Sequence, residues 1–192
     1  MRHASRLRCS AAPCLAALAI AVLAGCSPRL DWRDVRSVSG RYVIALPDRP
    51  QIAQREVDYD AGGGPVKLAL SMTSSGVGGT LFAVCVATLP PAVLRDPARA
   101  VAWLRDSLVR NIGGTLDAVR PLVAPPGAAG RAQLAEEAVA RGTIGAEHRA
   151  AQLVTRLYLV DDRLFAVTAI AADGELPPAA LDVFLSSFRL TD

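Results

Sequence analysis

The residues with the clearest chemical meaning are Leu23-Ala24-Gly25-Cys26, at the end of an apolar run. A cysteine thiol behind small residues at such a site accepts a diacylglycerol through a thioether. The chain is then cut after Gly25, and the new amine of Cys26 is acylated. Small side chains before the cysteine let the extended backbone enter a narrow peptidase groove. Arg2, Arg6 and Arg8 precede the run and form the positive start of a secretory signal. Ala11 to Ala24 is mostly Ala and Leu, interrupted by Pro13, and is too short for a spanning helix of roughly 20 residues. The alternatives are an ordinary signal peptide or a short N-terminal membrane anchor, with Cys26 incidental. The pattern favours lipid attachment at Cys26. Ser27 follows where an Asp would hold a lipoprotein at the inner membrane, so the expected location is the outer membrane, facing the periplasm. Three acyl chains (palmitate-type lipid) exceed the two signals that stable anchoring needs.

The other residue types that carry chemistry are scattered. His148 is the one histidine after residue 25, with no second His or Cys at ligand spacing, so no metal site is expected. Gly76, Gly78 and Gly79 lie among Ser74, Ser75 and Thr80, without the lysine and spacing of a phosphate-cradling loop. There is no G-x-S-x-G elbow, and Ser186 and Ser187 have no histidine near them in sequence. Glu136-Glu137 is an adjacent carboxylate pair. On a strand its members point to opposite faces and cannot share a proton; one of them is placed to pair with Arg149 or Arg156. Cys85 sits in the apolar run Leu81 to Leu89 and reads as a small buried hydrophobe, with an intermolecular disulfide as the alternative. Catalytic, cofactor-binding and metal-binding residues are therefore expected to be none.

Composition bounds the rest. Residues 1–25 hold three of the 21 basic residues and none of the 18 acidic ones, so the remaining 167 residues are formally neutral. Nucleic-acid binding needs a clustered positive surplus, which this chain lacks. Of the four cysteines, Cys9 and Cys14 leave with the signal and Cys26 takes lipid, so Cys85 stands alone and no internal disulfide is expected.

Residues 26–39 read as a tether, with Pro28, alternating charge and Trp32, whose ring is expected to pack on its own domain. Gly40 opens a single domain over 40–192. Tyr42 to Leu46 reads as a strand ended by Pro47 and Pro50, and Ile52 to Tyr59 as a second. Asp60 to Gly64 is a turn, because glycine takes positive φ freely. Val66 to Leu70 alternates as a third strand, followed by a turn over Ser74 to Thr80. Leu81 to Leu89 is apolar almost throughout, as in a strand buried on both faces. Asp96-Pro97 starts a helix with the stripe Val101, Leu104, Leu108, Ile112, stopped by Gly113-Gly114. Leu116 to Val123 reads as a strand. Arg131 to Arg141 fits helix by composition and strand by alternation; strand is preferred. Gln152 to Val160 and Leu164 to Ala171 form a hairpin around Asp161-Asp162-Arg163. Pro177-Pro178 opens a closing helix with the stripe Leu181, Phe184, Leu185, Phe188. Helices segregated against a mainly antiparallel sheet make an α+β fold.

Three segments carry a family likeness: the strand ending Leu46-Pro47 and followed by Pro50, the hairpin from Arg156-Leu157-Tyr158 to Ala166-Val167, and the terminal Phe184 to Leu190. Together they resemble the PsbP-like family. The stretch Leu30 to Arg36 is similar to uncharacterised proteobacterial lipoproteins. The resemblance implies a central antiparallel sheet with helices packed on its faces and transfers no catalytic residue. Some such lipoproteins carry a cysteine in the turn after the opening strand; here the turn is Pro47-Asp48-Arg49-Pro50, so a disulfide there is absent. The expected function is a non-catalytic interaction or accessory module, not an enzyme. It is held to the membrane by the N-terminal lipid beside an envelope protein partner. The alternative is a carrier or sensor of a small apolar ligand held between sheet and helix; a third reading, an envelope enzyme, requires Glu136 or Glu137 to meet His148 at an open pocket.

Overall fold

A computed structural model describes residues 30–191; the signal peptide expected over 1–25 and the expected lipid site Cys26 lie outside the described residues. Along the chain come β1 (Arg33–Ser37), β2 (Tyr42–Leu46), β3 (Gln51–Asp60), β4 (Pro65–Val77), β5 (Thr80–Thr88) and α1 (Pro97–Asn111). Then follow β6 (Thr115–Pro121), β7 (Ala132–Ile144), β8 (Arg149–Val160), β9 (Arg163–Ala172), α2 (Pro178–Ser187) and β10 (Arg189–Leu190). Seven strands form one sheet in the order β3-β4-β5-β9-β8-β7-β6, every neighbour antiparallel. A second, three-stranded sheet has the order β1-β2-β10. The architecture is α+β, a mainly antiparallel sheet with two helices among the described residues.

The period of two along each strand sends alternate side chains to opposite faces. On one face Phe82, Val84, Val86, Tyr158, Phe165 and Val167 pack against α2 and the small sheet. The Phe184 ring meets Phe82 edge-on at 5.1 Å, and Phe188 stacks on Tyr158 at 5.5 Å. On the other face Leu157, Leu159, Leu164 and Ala166 receive Val101 and Leu104 of α1. Asp96 caps α1 by accepting from the Arg99 amide at 3.0 Å, and Pro97 supplies the first helical residue. The helix ends over β7, where the chain is pinched. A Cβ on Gly142 would stand 2.3 Å from the Ile112 carbonyl oxygen, and one on Gly114 would stand 2.5 Å from that of Arg141. Only glycine lets the two backbones come this close, and the Thr143 amide then donates to Ile112 at 2.7 Å.

Residues 132–141 are strand, within β7, as the alternation predicts, and Arg131 stands just before it. Three expectations change. The tether assigned to 26–39 does not reach Ser39: β1 pairs with β2 from Arg33↔Leu46 to Ser37↔Tyr42, and Trp32 meets Phe82 edge-on at 5.9 Å. β2 is buried at every position, and with β10 only two residues long it needs a full partner on its other edge. Ser74, Ser75 and Gly76 are not a turn but the end of β4, and the turn shrinks to Gly78-Gly79, both at positive φ. The closing helix stops before Phe188, which leaves helical geometry and inserts its ring among Tyr42, Tyr158 and Phe165.

Candidate functional site

One helix covers only part of its face of the large sheet. α1 packs on β7 and β8, and beside it the face of β3, β4 and β5 is left open as a groove of about 520 Å³. Leu70 and Met72 of β4 and Cys85 of β5 form its floor. Trp103, Leu104 and Leu108 of α1 form one wall, and Ala53, Arg55 and Val57 of β3 the other. Trp103 is braced at the far end by Tyr59, ring edge to ring face at 5.2 Å. Met72 is 36% exposed although its neighbours in the strand face are apolar. The rim is polar, with Gln54, Ser107, Arg110 and Asn111. No Asp or Glu lines the groove, whereas two arginines do, and neither Arg55 nor Arg110 has a carboxylate within salt-bridge distance among the described residues.

Cys85 lies on this floor, half-buried and free. Burial pushes its thiol up to about 11, against a smaller downward pull from the charge of Arg55. At neutral pH it is a protonated, apolar surface and not a nucleophile. A second depression of about 440 Å³ lies by β3–β5, lined by Glu56, Ser71, Thr88 and Arg163. Its Arg163 is already held by the Ser39 carbonyl at 2.5 Å.

The carboxylate pair separates as strand geometry requires. Glu136 faces α1 and accepts from Arg105 at 3.0 Å. Glu137 faces α2, has a side chain only 3% exposed, and accepts from Arg156 at 2.8 Å and from Arg120. Arg149 instead pairs with Glu175. Arg156 also donates to the Leu185 carbonyl near the end of α2 at 3.3 Å, so the cluster joins β6, β7, β8 and α2. Burial raises the Glu137 pKa, but hydrogen bonds from Arg156 and Arg120, and then their charges, outweigh it and hold the group below the ordinary carboxyl value. A carboxylate clamped in this way is ionised and fully engaged, the opposite of a poised general acid.

His148 sits in the β7–β8 turn at φ 51°, exposed, its amide donating to the Gly145 carbonyl at 3.2 Å. Glu137 lies seven residues back from the Ile144 end of β7, so the two are roughly 20 Å apart. The Ser187 hydroxyl donates to the Phe184 carbonyl at 2.7 Å and accepts from the Ala45 amide at 2.9 Å, tying α2 to β2. The Ser186 hydroxyl turns back to Val183 at 3.4 Å. Among the described residues no three His, Cys, Asp or Glu side chains converge on a common metal position. No helix among them is long and apolar enough to cross a membrane.

Inspection of residue types missed the groove because none of its members belongs to a catalytic pattern. One signal was present: Ala53, Arg55, Val57 and Tyr59 share a strand face, and an arginine on the apolar side of an alternating strand marks charge turned toward a sheet surface. The chain matches no protein-family model, and no curated protein matches its sequence.

Proposed function

We propose that this chain is a lipoprotein of the PsbP-like kind, acylated at Cys26 and held at the outer membrane on its periplasmic side. It works as a non-catalytic accessory module that carries or senses a small apolar ligand. The observation that carries this reading is the open apolar groove between α1 and the sheet, whose volume of about 520 Å³ falls within the roughly 300–1,000 Å³ of small-molecule sites. The anchor rests on Leu23-Ala24-Gly25-Cys26 and the basic, apolar leader before it. Acylation confines the domain to the bilayer surface and raises its local concentration for an envelope protein that takes or gives the ligand. The non-catalytic reading is supported by the engagement of Glu137 with two arginines and by the distance of His148 from it. The test has two parts. Cys26→Ser is expected to remove acyl-chain labelling and release the protein from the membrane fraction; retained lipid refutes the anchor. Mass spectrometry of organic extracts from the purified protein is expected to find a stoichiometric apolar molecule, and an empty groove that excludes added apolar probes refutes the carrier.

A further inference from the structure

Charge around the groove is one-sided in a body that is formally neutral after residue 25. Its two charged residues, Arg55 and Arg110, are both positive and exposed. Arg55 pairs with Leu70, two residues from Met72 and its partner Cys85, so it stands on the sheet face that forms the floor of the groove. A guanidinium without a carboxylate, beside an apolar trough, is complementary to an anionic group attached to an apolar chain. A groove of about 520 Å³ is on the scale of a single acyl chain, at about 30 Å³ for each water-sized group.

The groove also has a direction. Arg99, in the first turn of α1, pairs with Asp60 at 3.2 Å, at the end of β3–β4 marked by Asp60↔Pro65, and Trp103 one turn further on meets Tyr59. The helix therefore runs toward the other end, where Gln51 pairs with Ser74 and where the Gly78-Gly79 turn lies. Arg110 and Asn111 stand at that end. So does Leu30, which packs beside Val77, Gly78 and Glu175. Three residues separate Cys26 from Leu30, so four Cα-to-Cα steps give a reach of at most about 14 Å. The anchor thus brings to the bilayer the same end of the sheet at which Arg110 stands.

We infer, building on the carrier reading above, that the groove takes a single-chain amphiphile with an anionic head from the membrane, with Arg55 and Arg110 meeting the head and Leu70, Met72, Cys85 and Leu108 covering the chain. The experiment mixes the protein, as its own cells process it, with zwitterionic phosphatidylcholine vesicles carrying a diazirine-labelled hexadecanoate or the matching diazirine-labelled hexadecanol. After illumination, labelled peptides are mapped by mass spectrometry. The acid is expected to label the peptides of Met72 and Leu108 at least about tenfold more than the alcohol, a charge-assisted contact being worth that much or more. The double variant Arg55→Gln, Arg110→Gln is expected to fall to the alcohol level, while Arg55→Lys, Arg110→Lys keeps most of the labelling because charge is retained. Equal labelling by both probes, unchanged by the Gln variant, overturns the anionic head and leaves the carrier reading standing. Loss in the Lys variant as well as the Gln variant assigns the effect to shape and overturns the charge argument. Labelling by the acid only when it is added free, never from vesicles, overturns the membrane as source. Groove labelling by neither probe overturns the carrier reading itself.

Discussion

Glu137→Gln isolates the most consequential polar interaction in the fold. The carboxylate is 3% exposed and holds Arg156, itself 25% exposed, at 2.8 Å; Arg120 is 69% exposed. Removing one member of a fully buried ion pair costs about 3–5 kcal/mol. That figure must be reduced here, because Arg156 keeps some solvent and its bond to the Leu185 carbonyl. The exposed Arg120 adds little, within the roughly 0–1 kcal/mol of surface pairs. The expected loss at pH 7 is therefore about 2–3 kcal/mol, or a fall of about 1–1.5 M in the urea midpoint for a domain of this size. The pH dependence follows from the direction of the shift. Glu137 titrates lower in the folded chain than its ordinary value of 4.5. Its contribution is complete above that value and is lost as pH falls through the lowered one. The gap between wild type and Glu137→Gln should then shrink on going from pH 7 into acid, as the pH falls through the lowered value and the native carboxyl also becomes neutral. Urea unfolding at pH 7 and in acid, followed by tryptophan fluorescence, reads both quantities. A gap that persists undiminished in acid, or an Arg120→Gln variant as damaging as Glu137→Gln, refutes the assignment of the stabilisation to the ionised Glu137–Arg156 contact.

Two further outcomes test the groove and its wall. With its thiol near 11 against about 8.5 for a free cysteine, Cys85 should react with iodoacetamide at pH 8 about a hundredfold more slowly in the folded protein than in urea; equal rates would place the thiol in water rather than on an apolar floor. Gly142→Ala should cost about 1–3 kcal/mol by overpacking, because its methyl would meet the Ile112 carbonyl oxygen at 2.3 Å, and should loosen the C-terminal end of α1. Hydrogen exchange should then rise at residues 108–112 before it rises in β8, and a melting temperature equal to wild type would refute the close approach.

Most of the fold is legible in the sequence because its signals are local. Asp96-Pro97 and Gly113-Gly114 bound α1 by capping chemistry that needs no partner. The hairpin of β8 and β9 follows from alternation on both sides of Asp161-Asp162, and the structure pairs Val160 with Arg163 across it. β7 was ambiguous by composition, and its strand character is decided by β6 and β8, which flank it on both edges. What local pattern cannot give is a second sheet. β1 has a single partly buried apolar residue, Val35, and its pairing is dictated by the open edge of β2 more than by its own residues. β10 is two residues long and exists because Phe188 drops into the aromatic cluster and carries Arg189 and Leu190 alongside β2. The groove was illegible for the same reason: Arg55, Met72, Cys85 and Trp103 come from four elements, and only the sheet order brings them together.

The groove follows from the size of the elements. α1 has 15 residues, so it is about 22 Å long and about 10 Å wide with its side chains. Strands lie about 4.8 Å apart, so the width of one helix shades about two of them. On the opposite face α2 and the small sheet share the work, and the core there is closed around six aromatic rings. On the α1 face, Tyr59, Leu68, Leu70 and Ala87 are buried, but no element among the described residues covers Met72, which is 36% exposed, or closes over Cys85. A chain that needed only solubility would place polar side chains there, since open apolar surface is an aggregation hazard. This chain places Leu70, Met72 and Cys85 on the floor, Arg55 on one wall and other polar groups at the rim. The arrangement leaves the apolar area around Met72 in water at a cost of about 25 cal/mol for each Å²; the proposed acyl chain would recover that cost on binding, and the same proposal accounts for the one-sided charge.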